Sequence, residues 1–95
     1  MRLKKNKIET IRELSSDIFN SDIVYLFGSR ADDSLKGGDI DIYIQTKQKE
    51  NILESKIIFQ REFEKVWGEQ KIDIVIDNHT TQKEIYDIAK RGIKL

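Results

Sequence analysis

The sequence predicts an α/β protein of the α+β kind, with a small mixed three-stranded sheet and its helices mainly on one face. Three observations predict it. Ile8, Ile11, Leu14 and Ile18 recur at the steps that line one face of a helix. Two runs, Asp39-Ile40-Asp41-Ile42-Tyr43-Ile44-Gln45 and Lys71-Ile72-Asp73-Ile74-Val75-Ile76-Asp77, alternate as half-buried strands do. Between them lies an amphipathic stretch of helical length, so the middle of the chain reads strand, helix, strand.

Each element has a local reason. The first helix covers residues 4 to 19, and Asn20-Ser21-Asp22 supplies turn chemistry after it. Ile23-Val24-Tyr25-Leu26-Phe27 has the length and β-branched character of a buried strand, ended by Gly28. In the second strand Ile40, Ile42 and Ile44 face the core, and Asp39, Asp41 and Tyr43 face the other way. The second helix runs from 51 to 67. Its apolar set is Ile52, Leu53, Ile57, Phe59, Phe63, Val66 and Trp67, with Asn51 and Glu54 spaced as a capping box and Gly68 as its stop. Ile72, Ile74 and Ile76 of the third strand point inward and Asp73 outward. Thr81 and Glu84 match a capping box for a short third helix, with Gly92 placed as the left-handed residue after its last turn. Ile93 and Leu95 beyond it suit either a cap contact or a partner surface. The strand-helix-strand unit predicts that the second and third strands are parallel, which brings Asp73 beside Asp39 and Asp41.

A chain of 95 residues predicts one domain over residues 1–95, without room for a separate substrate-binding domain. Seventeen Lys and Arg balance seventeen Asp and Glu, so the field that draws proteins onto nucleic acid or anionic membranes is missing. Arg2, Lys4, Lys5 and Lys7 read as a solvated helix start. With no cysteine and no secretory-type apolar stretch at the N-terminus, the expected setting is cytoplasmic. The longest apolar run, Ile23 to Phe27, is far short of the roughly 20 residues that cross a bilayer.

The chemistry lies in the acidic pattern. Carboxylates at i and i+2 on one strand face sit about 7 Å apart at the backbone, close enough for their oxygens to converge. Asp39 and Asp41 therefore suit magnesium, which takes one or two carboxylates and completes its shell with substrate phosphate oxygens. Asp73 on the neighbouring strand suits a second ion, the one that activates an attacking oxygen. Gly28-Ser29 stands where a strand turns, so backbone N–H groups and the Ser29 hydroxyl can face a phosphate. Arg30 is placed either to pair with that phosphate or to pair with Asp32 or Asp33. An Asp-x-Asp pair is often plain alternation and a Gly-Ser pair often plain turn. Here both occur with nine residues between Ser29 and Asp39, and with Asp73 on a third strand.

Leu26-Phe27-Gly28-Ser29-Arg30-Ala31, Gly38-Asp39-Ile40-Asp41-Ile42 and Ile72-Asp73-Ile74 together resemble the DNA polymerase beta type nucleotidyltransferase superfamily, specifically its minimal nucleotidyltransferase (MNT) domains. The motifs cover residues 23 to 77. The resemblance implies a polymerase-beta-like fold and nucleotidyl transfer with two magnesium ions and ATP as substrate. Asp39 and Asp41 would bind both ions, Asp73 the one activating the acceptor, and Gly28 and Ser29 the phosphates. It also implies a HEPN-type partner protein in a toxin–antitoxin pair, with a tyrosine of that partner as acceptor of AMP. Gly38 stands where Ser is frequent, and Asp32-Asp33 where a basic residue is frequent. Each change removes a phosphate donor or a cation and leaves the carboxylates untouched.

Tyr43 shares the acidic face and suits packing better than stacking on a base. His79 follows Asp77-Asn78 in a turn and is left out of the site. The rival from another class is a catalytically weak or inactive binding module that neutralises a partner by contact. A nuclease or polymerising domain is disfavoured, because the sequence shows no basic track for a strand.

Overall fold

In the computed structural model the described residues are 5–28, 39–78, 86 and 89–95. Helix α1 (Lys5–Phe19) carries the predicted stripe, with Ile11 and Phe19 buried and Ile8, Leu14 and Ile18 packed at the rim of the core. Asn20 ends it in the left-handed region at φ 50°, which asparagine tolerates better than most residues. Strand β1 (Ile23–Phe27) follows, then β2 (Ile40–Gln45), helix α2 (Ile52–Trp67) and β3 (Ile72–Asp77). Val24, Leu26, Ile40, Ile42, Ile44, Ile72 and Ile74 face the two helices and bury Phe59 and Phe63 against them. Trp67 Nε1 donates to Thr10 Oγ1 at 3.0 Å and ties α2 to α1. At the far end Thr46 Oγ1 donates to the Phe19 carbonyl at 2.6 Å, fixing the end of β2 to the end of α1.

β2 and β3 are parallel, as their helical crossover requires, and β1 is antiparallel to β2. The sheet has four strands rather than three, in the order β3-β2-β1-β4. Strand β4 (Ile93–Lys94) pairs with β1 at Leu26 and Tyr25, and the Leu95 amide donates to the Val24 carbonyl at 2.8 Å. Ile93 and Leu95 are thus neither a loose cap nor a free surface. Gly92 has no positive φ, and its role is close approach: a Cβ there would collide with the Leu26 carbonyl oxygen and lie 3.0 Å from the Phe27 Cβ.

Two further expectations are corrected. Asn51 adopts φ 59°, and its side chain makes no cap hydrogen bond, so the Asn51/Glu54 capping box does not form. Of the apolar set assigned to α2, Leu53, Ile57 and Val66 are 71%, 57% and 62% exposed, because the buried stripe follows Phe59 and Phe63. The acidic face is also partly covered: Tyr43, Tyr86 and Ala89 form a second buried cluster, with Tyr25, Phe27 and Val75 at its rim. Tyr86, Ala89 and Lys90 have helical backbone, while the rest of the expected third helix, with Thr81 and Glu84, lies outside the described residues. Gly68 does stop α2, at φ 83° with its amide on the Glu64 carbonyl at 2.8 Å. Among the described residues no helix is long and apolar enough to cross a membrane.

Candidate active site

The parallel register sets Asp41 directly opposite Asp73, with Ile40 opposite Ile72 on the core side. The Ile40 amide donates to the Lys71 carbonyl at 3.1 Å, which carries the ladder one step further and holds Asp39 at the mouth of β2. Asp39, Asp41 and Asp73 therefore meet at one end of the sheet face, as the alternation anticipated. Asp39 and Asp73 are about half exposed, and Asp41 sits deeper.

That depth has an electrostatic consequence. The Asp41 carboxyl is pushed above the ordinary aspartate range, first by burial and then by the charges of Asp73 and Asp39. A side-chain hydrogen bond with Asp73 acts in the same direction, since two carboxyls can share one only through a proton. Lys71 pulls the other way: its Nζ lies 3.9 Å from Asp39 Oδ2 and 3.8 Å from Asp73 Oδ1. Motif reasoning passes over Lys71. The signal is present in the sequence, because Lys71 and Asp73 are two apart on an alternating run and so share a face.

Phe27 is the register partner of Asp41 on the β1 side, so the chain turns at Gly28 right beside that carboxylate. Gly28 has φ +73°, and any Cβ added there would collide with Asp41 Oδ2 and stand 3.2 Å from its Cγ. The glycine is needed twice, for its backbone angle and for the space it leaves against the carboxyl. Ser29 and Arg30 lie outside the described residues, as do Asp32, Asp33, Gly38 and His79.

Tyr43 shares the face and takes no part in the acidic group. It is fully buried between Tyr25 and Tyr86, each ring 5.8 Å away. Its hydroxyl donates to Asp77 and accepts from Gln45 Nε2 at 3.1 Å. Packing, not base stacking, is its role.

Concavities of about 370 and 440 Å³ open near Asp22 and between Asn20 and Thr46, at the opposite end of β1 and β2 from the carboxylates. Neither concavity is lined by Asp39, Asp41 or Asp73. Among the described residues no group of three or more His, Cys, Asp or Glu is arranged to hold a metal ion by itself. The donor set still fits magnesium, which takes hard oxygen ligands and seldom a complete protein cage. Gly28 itself puts no side chain against the flank of Asp41.

A family model described as polymerase beta, nucleotidyltransferase matches residues 6–95. The chain belongs to that family. No curated protein matches it. As a nucleotidyltransferase it is a transferase of the general class that moves nucleotidyl groups, and the match takes in the strand pair carrying Asp39, Asp41 and Asp73 as well as β4.

Proposed function

We propose that the protein transfers AMP from ATP to a hydroxyl of another protein, a HEPN-type partner, in the cytoplasm. The observation that supports this most is the register itself: Asp41 faces Asp73, Asp39 stands one step away, and Gly28 clears the flank of Asp41. In the reaction the acceptor oxygen bonds to the α-phosphorus of ATP, pyrophosphate leaves, and the acceptor's proton is given up to the site. Asp39, Asp41 and Asp73 would hold two magnesium ions, which supply charge neutralisation on the phosphates and activation of the acceptor oxygen.

The chain's own part is positioning. Gly28 lets the backbone come close to the triphosphate with no side chain in between, and Ser29 and Arg30 would add a hydroxyl and a guanidinium to its oxygens. Asp73, half exposed at the face, would hold the ion that activates the incoming acceptor. Transfer of this kind rests chiefly on placement and charge, so a small scaffold suffices. The balanced net charge argues against a nucleic-acid acceptor.

A second reading, a module that neutralises its partner by contact alone, is favoured by Leu53, Ile57 and Val66 standing exposed on α2. One experiment separates the two. Labelled ATP is supplied to the protein co-expressed with its partner, beside Asp39→Ala and Asp41→Ala. Label on the partner that vanishes in both variants supports transfer. A stable complex in all three with no label supports contact alone. A folded parent whose melting temperature is unmoved by Mg-ATP would count against the nucleotide site, since a ligand held at about 100 times its Kd should stabilise by about 2.7 kcal/mol.

A further inference from the structure

Lys71 has two parts with separate duties. Its carbonyl oxygen accepts from the Ile40 amide at 3.1 Å and so helps to set the start of the β2–β3 ladder. Its side chain does no comparable structural work: it is 69% exposed, and at 3.8 and 3.9 Å its two ion pairs are long. Exposed pairs of that kind contribute little to stability. They are nevertheless well aimed. The ammonium stands between Asp39 and Asp73, on the face where the carboxylates converge, and it partly offsets the charge that lifts Asp41. A single positive charge within 4 Å of two carboxylates occupies the electrostatic position that a divalent cation would take.

We propose that the Lys71 ammonium is a tethered counter-cation: it holds Asp39 and Asp73 facing each other in the metal-free protein and competes with an entering divalent ion, so that it sets the ion affinity of the site. This rests on the reading of Asp39, Asp41 and Asp73 as metal ligands. Lys71 is a positioning residue in this scheme and touches no reacting atom. When an ion enters, two like-charged species cannot share the gap, and the long lysine stem lets the ammonium swing into water at small cost. The protein thereby keeps its carboxylates from splaying apart without committing them to a permanent bridge.

The test uses Mn²⁺ alone, titrated into the full chain and followed by the paramagnetic resonance of free Mn²⁺. The variants are Lys71→Met, Lys71→Gln and Lys71→Arg, each checked for native fold by circular dichroism, with Asp41→Asn as the control for site occupancy. Lys71→Met and Lys71→Gln should bind Mn²⁺ at least about fivefold more tightly than the parent, the effect of one pair of unit charges near 4 Å in water. Lys71→Arg should stay within about twofold of the parent, and the gain of the neutral variants should shrink as salt rises. Mn²⁺ should also raise the melting temperature of Lys71→Met further than that of the parent. If the parent binds Mn²⁺ through Asp41 and the neutral variants bind it equally or more weakly, the proposal falls while the carboxylate site stands. The proposal falls in the same way if Mn²⁺ affinity is unmoved and only Mg-ATP affinity drops, because Lys71 would then be a phosphate ligand. If neither the parent nor the neutral variants bind Mn²⁺, the reading of the carboxylates falls and the proposal falls with it.

Discussion

Gly28→Ala couples the fold to the candidate site through one methyl group. Two costs arise. The first is conformational: at φ +73° an L-residue is in the left-handed region, which costs roughly 1–2 kcal/mol for a side chain such as alanine's. The second is steric. The new Cβ would overlap Asp41 Oδ2 and sit 3.2 Å from Cγ, so the carboxyl must turn away from the turn. Because Asp41 lies directly opposite Asp73 in the register, that rotation also disturbs the neighbouring strand. Forcing a side chain well off its rotamer adds about 0.5–1.5 kcal/mol. The sum is about 1.5–3.5 kcal/mol, a drop in melting temperature of roughly 6 °C or more for a domain of this size.

Urea denaturation of the metal-free protein measures it, with an unchanged m-value showing that the same surface is exposed. A double-mutant cycle with Asp41→Ala isolates the steric part: without the carboxyl the methyl meets only the remaining Cβ at 3.4 Å, an ordinary contact. Gly28→Ala should therefore cost less in the Asp41→Ala background, by about 1 kcal/mol. Stability of Gly28→Ala within about 0.5 kcal/mol of the parent would refute both the left-handed turn and its closeness to Asp41. Equal costs in the two backgrounds would refute the closeness alone.

The remaining expectations concern charge, chemistry and the sheet edge. Asp41 is held above its ordinary value of 3.8 in the folded chain, so its contribution to stability is complete below that value and is lost as pH rises through the folded one. Metal-free Asp41→Asn should accordingly be at least as stable as the parent near neutral pH, about pH 7, and lose that advantage toward about pH 4. Thermal melts of the two across that range decide it, and a clearly weaker Asp41→Asn near neutral pH would make the carboxylate a structural group. Asp73→Asn should keep most of the Mg-ATP affinity in calorimetry while losing transfer, whereas Asp39→Asn and Asp41→Asn should weaken both. Binding lost as severely with Asp73→Asn would make it an ordinary nucleotide-site ligand. Gly92→Ala should detach β4, because its Cβ would strike backbone at Leu26 that cannot yield. Faster hydrogen exchange at the Leu95 amide, which is bonded to the Val24 carbonyl, would report this; unchanged protection there would contradict it.

What the sequence disclosed followed periodicity, and what it hid depended on contacts between distant segments. Alternation around Ile40–Ile44 and Ile72–Ile76 carried both strands and the meeting of Asp41 with Asp73, because period 2 and a helical crossover leave little freedom. Ile93–Lys94 is too short to show any period, and its pairing rests on a glycine that lets it close on Leu26. On α2 the apolar residues outnumber those one stripe can bury, and only tertiary packing chose Phe59 and Phe63 over Ile57 and Val66. Asn51 had the right letter for a cap, but its backbone went left-handed instead. The meeting of the acids was legible in the alternation, and so was the face Lys71 shares with Asp73; the distance at which its flexible side chain settles between Asp39 and Asp73 was not, because that depends on the local field.

The sheet face that carries the acids treats its two ends differently, and the contrast bears on function. At the Gln45 end Asp77 is buried but answered: the Tyr43 hydroxyl donates to it, and Gln45 in turn donates to Tyr43. A buried carboxylate supplied with donors is a structural element. Four residues earlier on the same strand, Asp73 meets another carboxyl, with Asp39 nearby and one loosely placed ammonium as relief. Among the described residues no tyrosine hydroxyl is hydrogen-bonded to Asp73 as Tyr43 is to Asp77. On the proposed reading, this partly relieved charge raises the free energy of the empty protein and would be returned when a cation arrives, so the cost in the apo state would become affinity in the loaded one. On that reading the end of the sheet that costs stability is the end that would bind.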